Sequence, residues 1–198
     1  MKKYLEHLKK GKILLIPFDT VWGLAGDAQN YQTVKTIFEI KKRSLDKPIA
    51  ILLQNLVYIK TISGERKIEK KTNIIKNIIK KYLPGAYTLL IKTNIKPNLS
   101  PPCFKIQNSE YILGLRLIDQ KYLIQKIATA YNQPLTATSA NFSGQESIFN
   151  AKKAREFYNL IPEKYKKRIV FIDSKEECSG KLSQIIDLTH KTPKKIER

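Results

Sequence analysis

The stretch PLTATSANFSG, residues 134–144, is the part of the chain that best indicates how it folds. Its first four residues, 134–137, form a short and mostly apolar run that is typical of a buried strand. Hydroxyl and amide side chains and a glycine then follow directly, at Thr138, Ser139, Asn141, Ser143 and Gly144. Because ligands of α/β sheets tend to bind at the carboxyl ends of strands, this pattern predicts a ligand site at the end of a strand.

Two further segments carry related chemistry. Residues 17–24, PFDTVWGL, follow an apolar run at 12–16, and residues 41–48 contain a cluster of cations. Hydroxyls, a glycine-flanked loop and clustered positive charge are together typical of a site for a phosphorylated ligand. No segment matches G-x-x-x-x-G-K-[ST], or G-x-G-x-x-G after a strand, so the phosphates would be held by side chains and strand-end hydroxyls.

Short runs rich in Ile, Leu and Val predict buried strands at 12–16, 49–53, 87–91, 111–117, 134–138, 169–172 and 184–188. Four helical faces interleave them: Val34, Ile37 and Phe38; Ile74, Ile75, Ile78, Ile79, Tyr82 and Leu83; Leu123, Ile124, Ile127, Ala128 and Tyr131; Ala151, Ala154, Phe157, Tyr158 and Ile161. Residues 63–72 are predicted to be an exposed connection. The alternation predicts one α/β domain, residues 1–198, with a twisted mixed sheet flanked by helices.

The charge balance is the strongest feature of the composition. The net charge is +20, with 31 Lys against 6 Arg. This excess fits a surface for nucleic acid or another polyanion, and it fits equally the residue bias of an AT-rich coding sequence. Two distant cysteines and two distant histidines predict neither a zinc site nor a disulfide. No run is long enough to span a membrane and no secretory signal is present, so a cytoplasmic protein without membrane association is predicted.

Lys41 lies on the apolar face of a predicted helix. It continues the face of Val34 and Phe38 into the last helical turn. One interpretation is a side chain that caps the carbonyls of its own helix. The other is that Lys41, Arg43 and Lys47 line a groove for a triphosphate, with the lysines as point charges and the arginine as a planar fork.

Arg116 lies inside the otherwise apolar run 111–117. An unpaired charge in such a strand is strongly unfavourable. Either Arg116 forms a buried salt bridge with an acid such as Asp119 or Asp27, or its guanidinium binds a substrate carboxylate. Both interpretations stay open at this level.

The remaining polar residues do not support a catalytic triad. Neither histidine neighbours a nucleophile motif, and no serine lies in G-x-S-x-G. Asp19, Asp27 and Asp46 have the spacing of turn residues. This set of polar residues favours catalysis by positioning of the reactants and stabilisation of charge, as in phosphoryl or nucleotidyl transfer.

Five segments, taken in order, resemble the YrdC/TsaC family of threonylcarbamoyladenylate synthases. They are residues 17–24, 41–48, 83–88, 114–116 and 138–144. The combination of K-x-R at 41–43 with S-x-N at 139–141 is their most specific part, and Phe18 departs from the family's usual threonine. The resemblance covers residues 12–198 and implies a YrdC-like α/β domain with a basic concave cleft.

The same resemblance implies an enzyme that converts L-threonine, bicarbonate and ATP into threonylcarbamoyl-AMP and pyrophosphate. The product would serve the threonylcarbamoyladenosine modification beside the anticodon of tRNA. Mg²⁺ is expected to accompany ATP. The expected partners are the downstream threonylcarbamoyl-transfer machinery and, through the basic surface, weakly bound tRNA or double-stranded RNA.

The resemblance also implies roles for individual residues. Lys41 and Arg43 would be catalytic. ATP would contact Lys41, Arg43, Lys47, Ser139, Asn141, Ser147 and Arg198. Threonine would contact Thr20, Arg116, Ala137 and Ser183.

Two alternatives to this enzyme remain. The first is a non-catalytic double-stranded RNA-binding protein that uses the same basic cleft, with an affinity that falls steeply with salt. The second is a carbamoyl-transfer enzyme of the kind found within hydrogenase-maturation proteins, which would take carbamoyl phosphate in place of threonine. Pyrophosphate release that depends on threonine distinguishes the synthase from both.

Overall fold

The computed structural model describes residues 1–59, 72–190 and 192–196. The strands are β1 (Ile13–Pro17), β2 (Trp22–Ala25), β3 (Ala50–Leu52), β4 (Tyr87–Thr93), β5 (Phe104–Gln107), β6 (Glu110–Arg116), β7 (Leu135–Ser139), β8 (Ile169–Phe171), β9 (Gln184–Asp187) and β10 (Lys194–Ile196). The helices are α1 (Lys2–Lys9), α2 (Tyr31–Lys41), α3 (Thr72–Tyr82), α4 (Leu123–Tyr131), α5 (Ala151–Leu160) and α6 (Glu163–Lys166). Arg198 and residues 63–71 of the predicted connection lie outside the described residues.

The described strands form one mixed sheet. Their order is β10-β9-β4-β6-β3-β7-β2-β1-β8, and β5 pairs with β6 beside this path. The pairs β1–β8, β3–β6 and β4–β9 are parallel, and the other pairs are antiparallel. The predicted α/β class with a mixed sheet is confirmed, and each predicted strand is present with its ends shifted by at most two residues.

Helices cover both faces of the sheet, as the alternation of side chains along β1 demonstrates. Ile13 and Leu15 belong to one hydrophobic core, whereas Leu14 and Ile16 belong to the other. The first core also contains Val34, Ile37 and Phe38 of α2 and Phe157 of α5, and the second contains Leu8 of α1 and Ile124 and Ile127 of α4. Burial on both faces explains why these strands are continuous apolar runs rather than alternating ones.

Local capping fixes the ends of α2, which leads into the cation cluster. The Asn30 side chain accepts a hydrogen bond from the Thr33 amide at 3.0 Å and so caps the first turn. At the other end Lys42 adopts a left-handed conformation (φ 51°), which ends the helix and turns the chain towards β3. No helix among the described residues is both long enough and apolar enough to cross a lipid bilayer.

Strand β2 was not predicted from the sequence, because its four residues include a central glycine. All four are buried between β1 and β7. A Cβ on Gly23 would lie 2.5 Å from Cε2 of Phe18 and 2.9 Å from the carbonyl oxygen of Thr138. The glycine is therefore required for the close approach of Phe18, although glycine disfavours a strand interior.

Candidate functional site

A cavity of about 400 Å³ opens on the sheet face that carries α1 and α4. Small residues of neighbouring strands form its floor: Gly23 of β2, Ala50 of β3 and Ala137 of β7. Ala50 pairs directly with Ala137, and Gly23 pairs with Ser139, which lies two residues beyond Ala137 in β7. Larger side chains at these positions would pack into this space and close it. The row of small residues therefore creates the cavity.

The sequence predicted a ligand site at the carboxyl end of a strand, whereas the cavity extends across the face of the sheet. The reason is topological: β7 runs antiparallel to both β2 and β3, so the carboxyl ends of these neighbours do not meet. Two strands place a polar side chain of their carboxyl ends in the cavity. Ser139 at the end of β7 and Arg116 at the end of β6 both line the cavity.

At one end of the cavity Arg116 forms a buried salt bridge. Its Nη2 donates to Oδ1 of Asp19 at 2.6 Å, and the two residues are 5% and 7% exposed. The acids named from the sequence, Asp119 and Asp27, have other partners: Asp119 accepts from the Lys121 amide and Asp27 from the Tyr131 hydroxyl. The buried salt bridge predicted as one alternative is therefore present, but with Asp19 in place of Asp119 or Asp27. Asp19 does lie in a bend, and the loop after β1 brings its side chain to the end of β6.

The guanidinium of Arg116 retains donor capacity beside two hydroxyls. Its Nε is buried and has no hydrogen-bond partner among the described residues. The ring of Phe18 lies 5.9 Å from its Cζ, within the range of a cation–π contact. Beside Arg116, in the neighbouring strand β4, the hydroxyl of Thr88 lies 3.1 Å from the hydroxyl of Ser183. This end of the cavity therefore offers a charged donor and hydroxyls to a small polar ligand.

The second arginine of the cavity is Arg43, which follows α2. Its Nε donates to the carbonyl of Lys47 at 2.7 Å, and its Nη2 donates to the carbonyl of Pro48 at 3.1 Å. Burial lowers the pKa of Arg43, and the negative charge of Asp46 acts in the opposite direction. The two carbonyl contacts hold the guanidinium in place, which makes it a fixed positive charge at the cavity wall.

Lys41 is 2% exposed and holds the loop that follows β7. Its Nζ donates to the Ser139 carbonyl (2.5 Å), the Asn141 carbonyl (2.8 Å) and Oδ1 of Asn141 (2.9 Å). The Ser139 hydroxyl donates to the same Oδ1 at 2.6 Å. The three N–H groups of the ammonium are thus used by this loop and not by the carbonyls of α2. Burial, together with the charge of Arg43, lowers the pKa of Lys41 to about 7.

The structure brings together most of the residues that the sequence had placed in the site. Those lining the cavity are Thr20, Arg43, Arg116, Ala137, Ser139 and Ser183. Lys41 and Asn141 lie behind Ser139 and hold it, as described above. Lys47 has an exposed side chain, Ser147 is half-buried and not among the described lining residues, and Arg198 is not described.

Sequence reasoning missed Thr88, Asp19 and Leu182. Thr88 and Leu182 line the cavity, and Asp19 pairs with Arg116. Thr88 is a hydroxyl residue that is 2% exposed in β4, so a polar position in an apolar strand was the available signal. Asp19 and Leu182 gave no such signal, because each lies in a loop that only the fold brings to the cavity.

Comparison with known proteins identifies a family whose sequences are similar to this chain. The family model Sua5_yciO_yrdC, described as "Telomere recombination", matches residues 6–198. A provisionally named threonylcarbamoyl-AMP synthase of Methanocaldococcus jannaschii is 35% identical over 153 residues, covering 74% of this chain. The threonylcarbamoyl-AMP synthase of Pyrococcus abyssi is 28% identical over 188 residues, covering 94% of this chain. The matches span 64% and 50% of the lengths of these two relatives, less than two thirds of either.

A solved structure agrees with the fold. It is that of Pyrococcus abyssi Sua5 in complex with L-threonine, which superimposes with a TM-score of 0.73. The sequence identity is 24%, and the alignment covers 97% of this chain and 52% of the other. At this identity the similarity supports the fold alone.

Proposed function

The chain belongs to the Sua5/YciO/YrdC family, and we propose that it makes threonylcarbamoyl-AMP and pyrophosphate from L-threonine, bicarbonate and ATP. The names of its curated relatives support this proposal. The Pyrococcus abyssi protein of the same fold, whose structure contains L-threonine, is consistent with it. In the cell the product would feed the threonylcarbamoyladenosine modification of tRNA.

One observation carries the proposal: Arg43 and Arg116 line the same cavity. They approach it from different elements, Arg43 from the loop after α2 and Arg116 from the end of β6. Two fixed cations on one cavity suit a reaction with two anionic components, a triphosphate and an amino-acid carboxylate. In this arrangement Arg43 and the Ser139 hydroxyl would contact the phosphates, while Arg116 would bind the carboxylate.

The chemistry needs positioning more than acid–base groups. The amine of threonine combines with bicarbonate, losing water, to give a carbamate. An oxygen of that carbamate then attacks the α-phosphorus of ATP, and pyrophosphate leaves. A carbamate is a weak nucleophile, so fixing both partners in one cavity supplies much of the rate. Arg43 would stabilise the negative charge that grows on the leaving phosphates.

Mg²⁺ would enter with ATP rather than through a protein site. The described residues contain no group of three or more His, Cys, Asp and Glu side chains that could hold a metal ion. The carboxylate of Asp19, which adjoins the cavity through Arg116, is already paired with that residue.

The experiment is a pyrophosphate-release assay with Mg-ATP and bicarbonate, run with and without L-threonine. We expect release that depends on threonine, together with threonylcarbamoyl-AMP in the mass spectrum of the products. Release without threonine, or with carbamoyl phosphate in its place, would redirect the function to carbamoyl transfer. No described feature favours the RNA-binding alternative, which requires salt-sensitive RNA affinity and no pyrophosphate release.

The buried Lys41 leads to a pH prediction for nucleotide binding. Its pKa of about 7 means that the ammonium loses a proton as the pH rises through neutrality. A neutral amine has two N–H groups for three acceptors, so one contact with the loop of Ser139 and Asn141 is lost. We expect the affinity for a non-hydrolysable ATP analogue to fall about tenfold as the pH rises from about 6 to about 8.

Lys41→Met is the control for this prediction, because it keeps the length of the side chain and removes the titrating group. The variant should bind the analogue weakly at every pH, and its profile should contain only the contribution from the ionisation of the analogue itself. The measurement is a calorimetric titration of both proteins across the pH range. Parallel profiles for wild type and variant would show that Lys41 does not control the loop.

A further inference from the structure

Asp19 fixes the orientation of Arg116 at the amino-acid end of the cavity. The contact between Oδ1 and Nη2 is short, 2.6 Å, and both side chains are shielded from water. A guanidinium is planar, so a bond at one nitrogen and the ring of Phe18 at 5.9 Å together restrict its plane. Without Asp19, the long side chain would be free to adopt other rotamers.

The pairing leaves part of the guanidinium available. Asp19 contacts it through Nη2, and Thr20 Oγ1 lies 3.4 Å from the same nitrogen. The Nε has no hydrogen-bond partner among the described residues, although it is buried. An unsatisfied buried donor is unfavourable, and a bound carboxylate would remove the penalty.

Asp19 also connects Arg116 with the segment of chain that carries Ser183. Its main-chain oxygen accepts from the Ser179 amide at 2.9 Å. Four residues later, Ser183 lines the cavity and contacts Thr88. One residue thus anchors the charged donor through its side chain and the hydroxyl-bearing segment through its backbone.

We propose that Asp19 is a positioning residue for the carboxylate-binding end of the cavity, holding Arg116 so that its remaining N–H groups are available to the carboxylate of the amino acid. The proposal rests on the proposed function, in which threonine occupies this end. It assigns Asp19 no contact with threonine and no proton transfer. Its expected effect on ligand binding is therefore confined to recognition of the carboxylate.

The test compares two probes, L-threonine and L-threoninamide, which lacks the carboxylate charge. Binding of each to wild type and Asp19→Asn is measured by titration calorimetry, and ATP-analogue binding is measured in parallel. We expect Asp19→Asn to bind threonine about 10- to 100-fold more weakly, the effect of a charge-assisted hydrogen bond. Binding of threoninamide and of the ATP analogue should change little, so the preference for threonine over threoninamide collapses.

Asp27→Asn is the matched control. Asp27 accepts from the Tyr131 hydroxyl at 2.8 Å and is not among the described lining residues. The same chemical change there should lower the melting temperature without changing the preference for threonine. Asp19→Glu is the second variant if Asp19→Asn folds poorly, since it keeps the charge and displaces the guanidinium.

The outcomes separate this proposal from the function on which it rests. Equal weakening of both probes, or no weakening, in the folded Asp19 variants would overturn the positioning role. A wild-type protein that binds threonine without releasing pyrophosphate would refute the proposed reaction. The comparison of threonine and threoninamide binding would still test the positioning role of Asp19. A wild-type protein that shows no preference for threonine over threoninamide would overturn the positioning role as well.

Discussion

Arg43→Met should lower the rate of threonine-dependent pyrophosphate release by about 10²- to 10³-fold, the usual effect of removing one positioned group that stabilises developing charge. Arg43 lines the cavity, and the carbonyls of Lys47 and Pro48 hold its guanidinium in place. Such a fixed charge needs no reorganisation as the leaving pyrophosphate becomes more negative. Methionine fills a similar volume without the charge, so the fold should remain intact.

The control is the same substitution at a distant arginine. Arg155 lies in α5 with its Cζ 3.6 Å from the centre of the Phe171 ring, and it is not among the described lining residues. Arg155→Met should leave the rate within about twofold of wild type, as expected for an exposed position away from the site. The binding of threonine should be unchanged in both variants. A folded Arg43→Met protein that keeps the full wild-type rate would show that Arg43 does not act on the phosphates.

Arg116→Met should lower the free energy of unfolding by about 3–5 kcal/mol, because it leaves the Asp19 carboxylate buried without its partner. That is a large share of the total for a domain of this size, which is about 5–15 kcal/mol. The double variant Asp19→Asn/Arg116→Met should recover much of the loss, since neither replacement carries a charge. Urea unfolding of the single and double variants measures both values.

Activity provides an independent comparison for the same variants. The single variant Arg116→Met and the double variant should both have lost threonine-dependent pyrophosphate release, because neither retains a guanidinium for the carboxylate of threonine. Recovered stability without recovered activity separates the role of Arg116 in the fold from its role in the site. Equal unfolding free energies for the single and double variants would contradict the assignment of a strong buried ion pair.

The elements that sequence patterns predicted well are those with continuous apolar runs. Strands such as β1 and β6 are buried on both faces, so their composition alone identifies them. The missed strands lack this signal for different reasons. β2 contains Gly23, which the approach of Phe18 requires, while β5 and β10 are mostly exposed and carry lysines. An edge strand stabilised by backbone pairing needs no apolar pattern.

In the candidate site, too, some residues could be identified from the local sequence and others could not. Arg116 and Ser139 could be identified because each breaks a local pattern, a charge in an apolar strand and a hydroxyl at the end of one. The partner of Arg116 could not be identified, since Asp19 lies 97 residues away in the chain and has the local context of a turn. The acceptors of Lys41 lie 98 and 100 residues away, so its contacts were equally inaccessible from local sequence.

By itself the sequence determined the succession of seven strands and four helices and the motifs of the family, because both depend on residues close together along the chain. Only the tertiary structure decided where the cavity lies, which acid pairs with Arg116 and what Lys41 holds. These depend on the antiparallel placement of β7 between β2 and β3 and on loops that meet across the sheet. Local periodicity carries no information on such distant pairings, because the energy that selects them arises when the whole sheet assembles.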